Sequence, residues 1–269
     1  AAQDNIAGTN LDGTSYTNTT PFGIESIFVR IQNNANNSCS DIEEFTIQVF
    51  DNPVANAPIN IEICDTDRDG FHDFNFDATT TPQILNGQNT SNFDVSYFTS
   101  LTDAQNNIAG TNISSSSYTN TTAFTQETIY ARIQNNANTA CSAIVAFTIN
   151  VNDVASPNQP TMYRLCDDEL SGSNSDLTTT SFLLNTKDNE ILGLTNSNLD
   201  FLISYHTTSI GAQTSATTDV IDKTVPYTVT DSQNVFVRIE NRNNPDCFIA
   251  ADDSMGSTFT SFELKVDPL

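Results

Sequence analysis

Apolar and polar residues alternate in short runs along this chain. In IFVRIQ (27–32), Ile27, Val29 and Ile31 fall on one face and Phe28, Arg30 and Gln32 on the other. FTIQVF (45–50) alternates through Phe45, Ile47 and Val49, and DFNFD (73–77) and NFDVSYF (92–98) read the same way. Such period-two runs, bounded by Asn, Thr, Gly and Asp clusters, predict half-buried β-strands. Helical patterning is confined to TPQILNG (81–87) and LTDAQNNIAG (101–110), each about two turns long.

The strand pattern recurs. AQDNIAGTN (2–10) returns at 104–112, YTNTT (16–20) at 118–122, IFVRIQNNAN (27–36) as IYARIQNNAN at 129–138, and FTIQV (45–49) as FTINV at 147–151. Each pair is 102 residues apart, a common register that chance does not produce. A divergent third copy holds SYHTT (204–208), VFVRIENRNNPDC (235–247) and FELKV (262–266). The expected domains are a partial module over 1–54 and complete modules over 55–154 and 155–269. Residues 1–54 match only a module's second half, so the chain is expected to start inside a module of a longer array. Several short strands per repeat predict an all-β fold of tandem immunoglobulin-like antiparallel β-sandwich modules. VFDNPVANAP (49–58) and VNDVASPNQP (151–160) read as the linkers.

Composition narrows the class. The 269 residues are 37% hydrophobic and carry a formal net charge of −24, with nine Lys and Arg. Seventeen Phe and seven Tyr set the chain apart from disordered acidic tails. So acidic a surface disfavours nucleic acid and anionic lipid, and no apolar run is long enough to insert into a membrane.

The five cysteines are Cys39, Cys64, Cys141, Cys166 and Cys247, one early and one late in each complete module. Pairing within modules gives Cys64–Cys141 and Cys166–Cys247. A rival pairing across the linkers, Cys39–Cys64 and Cys141–Cys166, stays open, as do five free thiols. Within-module loops of roughly 80 residues contribute about 4.5 kcal/mol on the chain-entropy model, against about 3.5 kcal/mol for linker-crossing loops. The within-module scheme is therefore favoured, and disulfides imply an oxidising, extracellular location at the cell surface.

CDTDRDGFHDF (64–74) concentrates the candidate chemistry. Counted from Asp65, oxygen ligands fall at positions 1, 3, 5 and 9 (Asp65, Asp67, Asp69, Asp73), Gly70 at 6, and the Phe71 carbonyl at 7. These are the first nine positions of an EF-hand calcium loop. Position 12 is Phe76 instead of Glu, and Asp77 is the candidate substitute. Strand-like flanks argue for a structural Ca²⁺ of extracellular-range affinity, roughly 10⁻⁴ to 10⁻³ M. The third module offers a weaker version in Asp167, Glu169 and Asp176. The bland alternative is a solvated Asp-rich turn.

Catalytic signals are sparse, and no catalytic residue is assigned. The two histidines, His72 and His206, do not recur between modules, and His72 is expected to face solvent. No zinc spacing, nucleophile elbow or phosphate loop is present. Arg30, Arg132 and Arg238 recur in the penultimate strand, where pairing with a carboxylate across the sheet is the simplest reading. Phe28, Tyr130 and Phe236 recur beside them, as packing residues or as a carbohydrate-stacking face.

The order C-D-x-D-x-D-G-F, TPQILNG, FDVSYFTS–LTDAQ, SYTN, IYARIQN…C and FTINV resembles a repeat of large secreted surface proteins of gliding Bacteroidota, type IX secretion-system substrates with gliding-motility-associated C-terminal domains. The resemblance implies a non-enzymatic, adhesin-like array, with neighbouring modules and an unknown surface ligand such as polysaccharide as partners. A calcium-dependent, lectin-like glycan-binding module and a self-assembling fibre subunit are the alternatives.

Overall fold

The computed structural model describes residues 8–250 and 261–269. Residues 2–7 of the first AQDNIAGTN copy lie outside the described residues. Chain order runs β1 (Ile24–Asn33), β2 (Asn36–Gln48), β3 (Ile61–Asp65), β4 (Asp73–Phe74), α1 (Phe76–Leu85), β5 (Phe93–Phe98), α2 (Leu101–Asn106), β6 (Tyr118–Thr119), β7 (Glu127–Asn135) and β8 (Ser142–Asp153). The third repeat follows with β9 (Tyr163–Cys166), β10 (Thr178–Phe182), a 3-10 turn (Leu184–Lys187), α3 (Asp188–Leu192), β11 (Phe201–His206), α4 (Ser209–Thr214), β12 (Val220–Ile221), β13 (Tyr227–Thr230), β14 (Ser232–Asn241), β15 (Phe248–Ala250) and β16 (Ser261–Asp267).

The chain divides into two compact units: Ala1–Ile59, Asn75–Ser117 and Thr128–Phe147 in one, Asn60–Phe74, Tyr118–Glu127 and Thr148–Leu269 in the other. In the first, β1 and β2 form an antiparallel hairpin, Ile27 opposite Phe45. β5 pairs antiparallel with β7, Tyr97 opposite Ala131. The core gathers Phe76, Ile84, Tyr97, Ile129, Ala131, Ile133 and Phe147, all buried. Phe76 contacts both Tyr97 and Phe147, with ring centroids 4.9 and 5.6 Å away.

DFNFD is the main departure from the predicted strands. Only Asp73 and Phe74 pair as a strand. The Asn75 side chain then accepts the amide of Ala78 at 3.2 Å and starts α1 at Phe76. Phe76, Thr80 and Ile84 bury at helical spacing, so an aromatic pair that reads as period two becomes a helix start once capped. α2 and α4 repeat one device: Ser100 and Thr208 cap their N-termini, and left-handed Asn107 and Ser215 end them.

The second unit holds the third repeat's sheet in the order β12-β11-β14-β16-β9, with β15 on β14. Its core includes Phe182, Leu184, Ile191, Phe201, Tyr205, Val235, Val237, Ile239, Phe262 and Leu264. The fold is the expected β-sandwich repeat with one systematic difference. The first strand of each complete repeat runs parallel to the last. β3 pairs with β8 from Ile61 opposite Ile149 to Asp65 opposite Asp153, and β9 pairs with β16 from Tyr163 opposite Leu264 to Cys166 opposite Asp267. This parallel pairing decides where the cysteines lie.

Candidate functional site

The site lies where the second repeat meets the third. Cys64, near the end of β3, is bonded to Cys247, with the Cα atoms 5.2 Å apart. Cys141 and Cys166 are free thiols, as is Cys39. The pairings Cys64–Cys141 and Cys166–Cys247 are therefore not the ones formed, and neither linker-crossing alternative is. Parallel pairing is the reason. Cys64 stands opposite Asn152 near the end of β8, whereas Cys141 precedes the first residue of that strand. Ten residues of strand cover about 33 Å, and a disulfide needs Cα atoms within about 7 Å.

The linker between the repeats is buried at Val154 and Ala155. Val154 packs with Cys247, Ile249 and Cys64 in a small apolar cluster. Asn241, at the end of β14, donates to the Asp153 carbonyl at 2.9 Å. One repeat earlier Asn135 donates to the Asp51 carbonyl at 3.0 Å, so the junction contact recurs.

The acidic turn adjoins the cystine. Buried Asp65 accepts the amides of Arg68 (2.9 Å) and Gly70 (2.6 Å). Burial pushes its carboxyl up, but the Gly70 and Arg68 amides outweigh this and hold it below the usual carboxylate range. Asp69 accepts the Phe71 amide at 2.7 Å. Gly70 has φ +82° and faces Ala123 so closely that an added Cβ would come within 2.4 Å of the alanine methyl. Asn120, buried, locks the turn by accepting the His72 amide and donating to the Gly70 carbonyl, both at 2.8 Å. Arg68 reaches the linker, donating to the Val154 carbonyl at 3.0 Å, with its Nε 3.6 Å from Asp153.

Among the described residues, Asp65, Asp67 and Asp69 form a three-carboxylate group with one oxygen from each within 4.8 Å of the others. The Asp67 carboxyl is raised, first by its contact with Asp65 and then by the charge of Asp69. Asp73 and Asp77 are not in this group. Asp73 pairs with Thr119 in β4, and Asp77 lies in the first turn of α1. Phe71 is exposed, and His72, also exposed, stacks edge-on against Phe74. In the third repeat Asp167, Glu169 and Asp176 do not converge as such a group. Asp167 is buried and accepts the Leu177 amide, while Asp176 accepts amides of Ser173 and Thr178.

The recurring arginines do something other than cross-sheet ion pairing. Arg132 donates to the carbonyls of Ala104 (3.1 Å), Gln105 (3.3 Å) and Thr139 (2.7 Å), closing the C-terminal end of α2. Arg238 does the same for Ala212, Gln213 and Pro245, and its carboxylate partner, Glu240, is on its own strand. A second recurring device joins Tyr118 to Glu127 at 2.7 Å and Tyr16 to Glu25 at 2.8 Å. Both glutamates also accept backbone amides of the YTNTT segment. The identical 102-residue spacing of these Tyr and Glu residues was the signal that could have found them.

One cluster has no counterpart in the second repeat. Ser204 Oγ lies 3.0 Å from His206 Nε2, and His206 Nδ1 lies 3.2 Å from Asp219. This is the connectivity of a serine-hydrolase triad. His206, however, is only 2% exposed, and Asp219 also accepts from Thr208, the cap of α4. A histidine so sealed is out of reach of a substrate carbonyl. The cluster instead ties α4 to β11.

A sandwich repeat whose first strand is bonded to the repeat after it is a disulfide-linked tandem module, and its site serves connection. The sequence match agrees. The chain belongs to the Flavobacterium inter-domain disulphide bond domain family, whose model matches residues 1–54, 60–155 and 162–269. No curated protein matches it. Among solved structures, the Bacteroides ovatus mixed-linkage glucan utilization locus protein SGBP-B, in complex with a mixed-linkage heptasaccharide, is 11% identical with a TM-score of 0.22. That match covers 81% of this chain and 46% of the other, so this chain spans under half of that protein's length. The human mucin-like protocadherin EC1-2 is 10% identical over 80% of this chain and 98% of its own, TM-score 0.23. The protocadherin gamma B7 extracellular cadherin domains 1–4 are 12% identical over 90% and 57%, TM-score 0.25. Similarity at this level says nothing of what this chain binds. Among the described residues, no helix is long and apolar enough to cross a membrane.

Proposed function

We propose that this chain is a non-enzymatic stalk or adhesive array of an exported cell-surface protein, stiffened by cystines between repeats and, at the Asp65–Asp69 turn, by a calcium ion. The observation that carries the reading is the Cys64–Cys247 bond, with linker residue Val154 buried against it. A covalent staple beside a packed linker removes the hinge that tandem domains otherwise have. A disulfide also belongs to an oxidising compartment, which supports an extracellular location. The same register assigns Cys141 to the early cysteine of a preceding repeat and Cys166 to the late cysteine of a following one. Neighbouring repeats are thus the partners this chemistry recognises.

Calcium is the second part of the reading. Three carboxylates held within 4.8 Å repel one another, and a divalent cation relieves that repulsion. Asp65 spends only part of its lone-pair capacity on two amides. Thermal melts in millimolar calcium test this. The melting temperature is expected to rise in the wild type and not in Asp67→Asn/Asp69→Asn. An unchanged wild-type melt would leave the turn as one closed by hydrogen bonds alone.

A further inference from the structure

Asn241, the last residue of β14, is buried and acts on both sides of the repeat junction. Its backbone amide donates to the Cys247 carbonyl at 2.9 Å, and the Cys247 amide donates to the Asn244 carbonyl at 3.0 Å. The turn that carries the cysteine therefore closes on this residue. Its Oδ1 accepts the Asn243 amide at 2.9 Å, which fixes the side chain to the same turn. Its Nδ2 is then aimed at the Asp153 carbonyl. Asp153 follows Asn152 in β8, and Asn152 stands opposite Cys64. One side chain thus runs from the turn of one cysteine to the strand beside the other.

The second repeat makes the same contacts around an unbonded cysteine. The Asn135 amide donates to the Cys141 carbonyl at 2.9 Å, and the Cys141 amide to the Asn138 carbonyl at 3.0 Å. Asn135 Oδ1 accepts the Ala137 amide at 2.8 Å, and Nδ2 donates to the Asp51 carbonyl at 3.0 Å. Cys141 is a free thiol. The clasp therefore needs no cystine to hold it, and it is available before a bond forms.

We infer that Asn241 is the positioning residue that selects Cys247 as the partner of Cys64. Pairing proceeds by thiol–disulfide exchange with a small-molecule disulfide such as oxidised glutathione. The Cys64 thiolate, the more exposed of the two, attacks that disulfide and releases one small thiol. The Cys247 thiolate then attacks the Cys64 sulfur and releases the second. The two protein thiols lose two protons and two electrons, and the small disulfide is reduced to two thiols. The second step is intramolecular, so its rate follows how often the two sulfurs meet. Chain separation works against this pair, because Cys166 is exposed, free and nearer to Cys64 in sequence. Holding the Cys247 turn on the Asp153 carbonyl reverses that order. Asparagine suits the task because one short side chain offers an acceptor to the turn and a donor to the linker. The inference rests on the cross-repeat bond of the proposed function, and not on calcium or any adhesion target.

The test refolds the reduced full chain in a buffer of reduced and oxidised glutathione, blocks the remaining thiols, and maps linked peptides by mass spectrometry. In the wild type, the Cys64–Cys247 pair should predominate. Asn241→Asp keeps the acceptor for Asn243 and loses the donor to Asp153. It should lower the ratio of Cys64–Cys247 to all other pairs at least roughly fivefold, the weight of one buried hydrogen bond. Pairs containing Cys166 should rise in its place. Should the added charge unfold the chain, Asn241→Ser makes the same test without it. Asn135→Asp makes the matched change beside a cysteine outside this bond, and should leave the ratio unchanged. A wild-type ratio in the Asn241 variants would overturn the inference alone. So would an equal fall in Asn135→Asp, which would mean general destabilisation. A wild type that forms no Cys64–Cys247 pair would overturn both this inference and the cross-repeat reading.

Discussion

Cys64 and Cys247 are bonded across 183 residues, so the staple joins the first strand of one repeat to the last turn of the next. A loop of that length contributes about 5 kcal/mol on the chain-entropy model. The bond also holds Val154 in its apolar cluster, so covalent closure and linker packing support each other. Cys247→Ser is expected to lower the melting temperature markedly, and Cys64→Ser by a similar amount. The double variant should be no worse than either single one, because both remove the same cross-link. Additive losses would mean that each cysteine acts separately. Thermal melts of the three variants decide it.

Gly70 is the least replaceable residue of the acidic turn. Its left-handed backbone and the approach of Ala123 both oppose a side chain. Gly70→Ala is expected to cost at least about 2 kcal/mol, from strain and overpacking together. Urea unfolding measures this, and a cost near zero would mean that the turn relaxes freely.

Arg132 is a helix-end clamp. Its removal leaves the carbonyls of Ala104, Gln105 and Thr139 without their charged donor. Arg132→Ala should destabilise by about 3 kcal/mol. Arg132→Lys should recover only part, because an ammonium lacks the planar fork that spans three carbonyls. Equal stability of Arg132→Lys and wild type in urea would contradict the clamp.

Glu127 makes the fold sensitive to acid. Burial raises its carboxyl, but the Tyr118 hydroxyl and the Thr121 and Thr122 groups lower it more, and the net shift is downward from 4.5. A carboxyl depressed in the folded state contributes stability above its unfolded value, and that contribution is lost as pH falls through the folded one. Glu127→Gln should therefore be less stable than wild type at pH 7. The gap should close as pH falls from the ordinary glutamate value of 4.5 through the depressed folded one. A gap that stays constant across a pH series of melts would contradict this role.

Much of the fold was legible because its devices repeat at 102 residues. The strands around Ile27, Phe45, Ile129 and Phe147 follow from alternation alone, as does β5. Two features were not. Asn75 converts DFNFD from a strand into a helix start, and a single cap weighs little against two alternating aromatics in a pattern reading. The cystine was harder still. A bond within the module needs both cysteines at one end of the sandwich, whereas β3 runs parallel to β8 and carries Cys64 to the far end of that strand from Cys141. Strand direction at a sheet edge is set by long-range pairing, which spacing does not encode. In the acidic turn, the carboxylates at 65, 67 and 69 converge as their spacing suggests. Asp73 and Asp77 are carried off by β4 and α1.

The central claim is that repeats are stapled to one another. The most direct measurement is peptide mapping of the unreduced 269-residue chain after thiol blocking. The account predicts one disulfide-linked peptide pair containing Cys64 and Cys247, with Cys141 carrying the blocking group. A peptide pair joining Cys64 to Cys141 would contradict it.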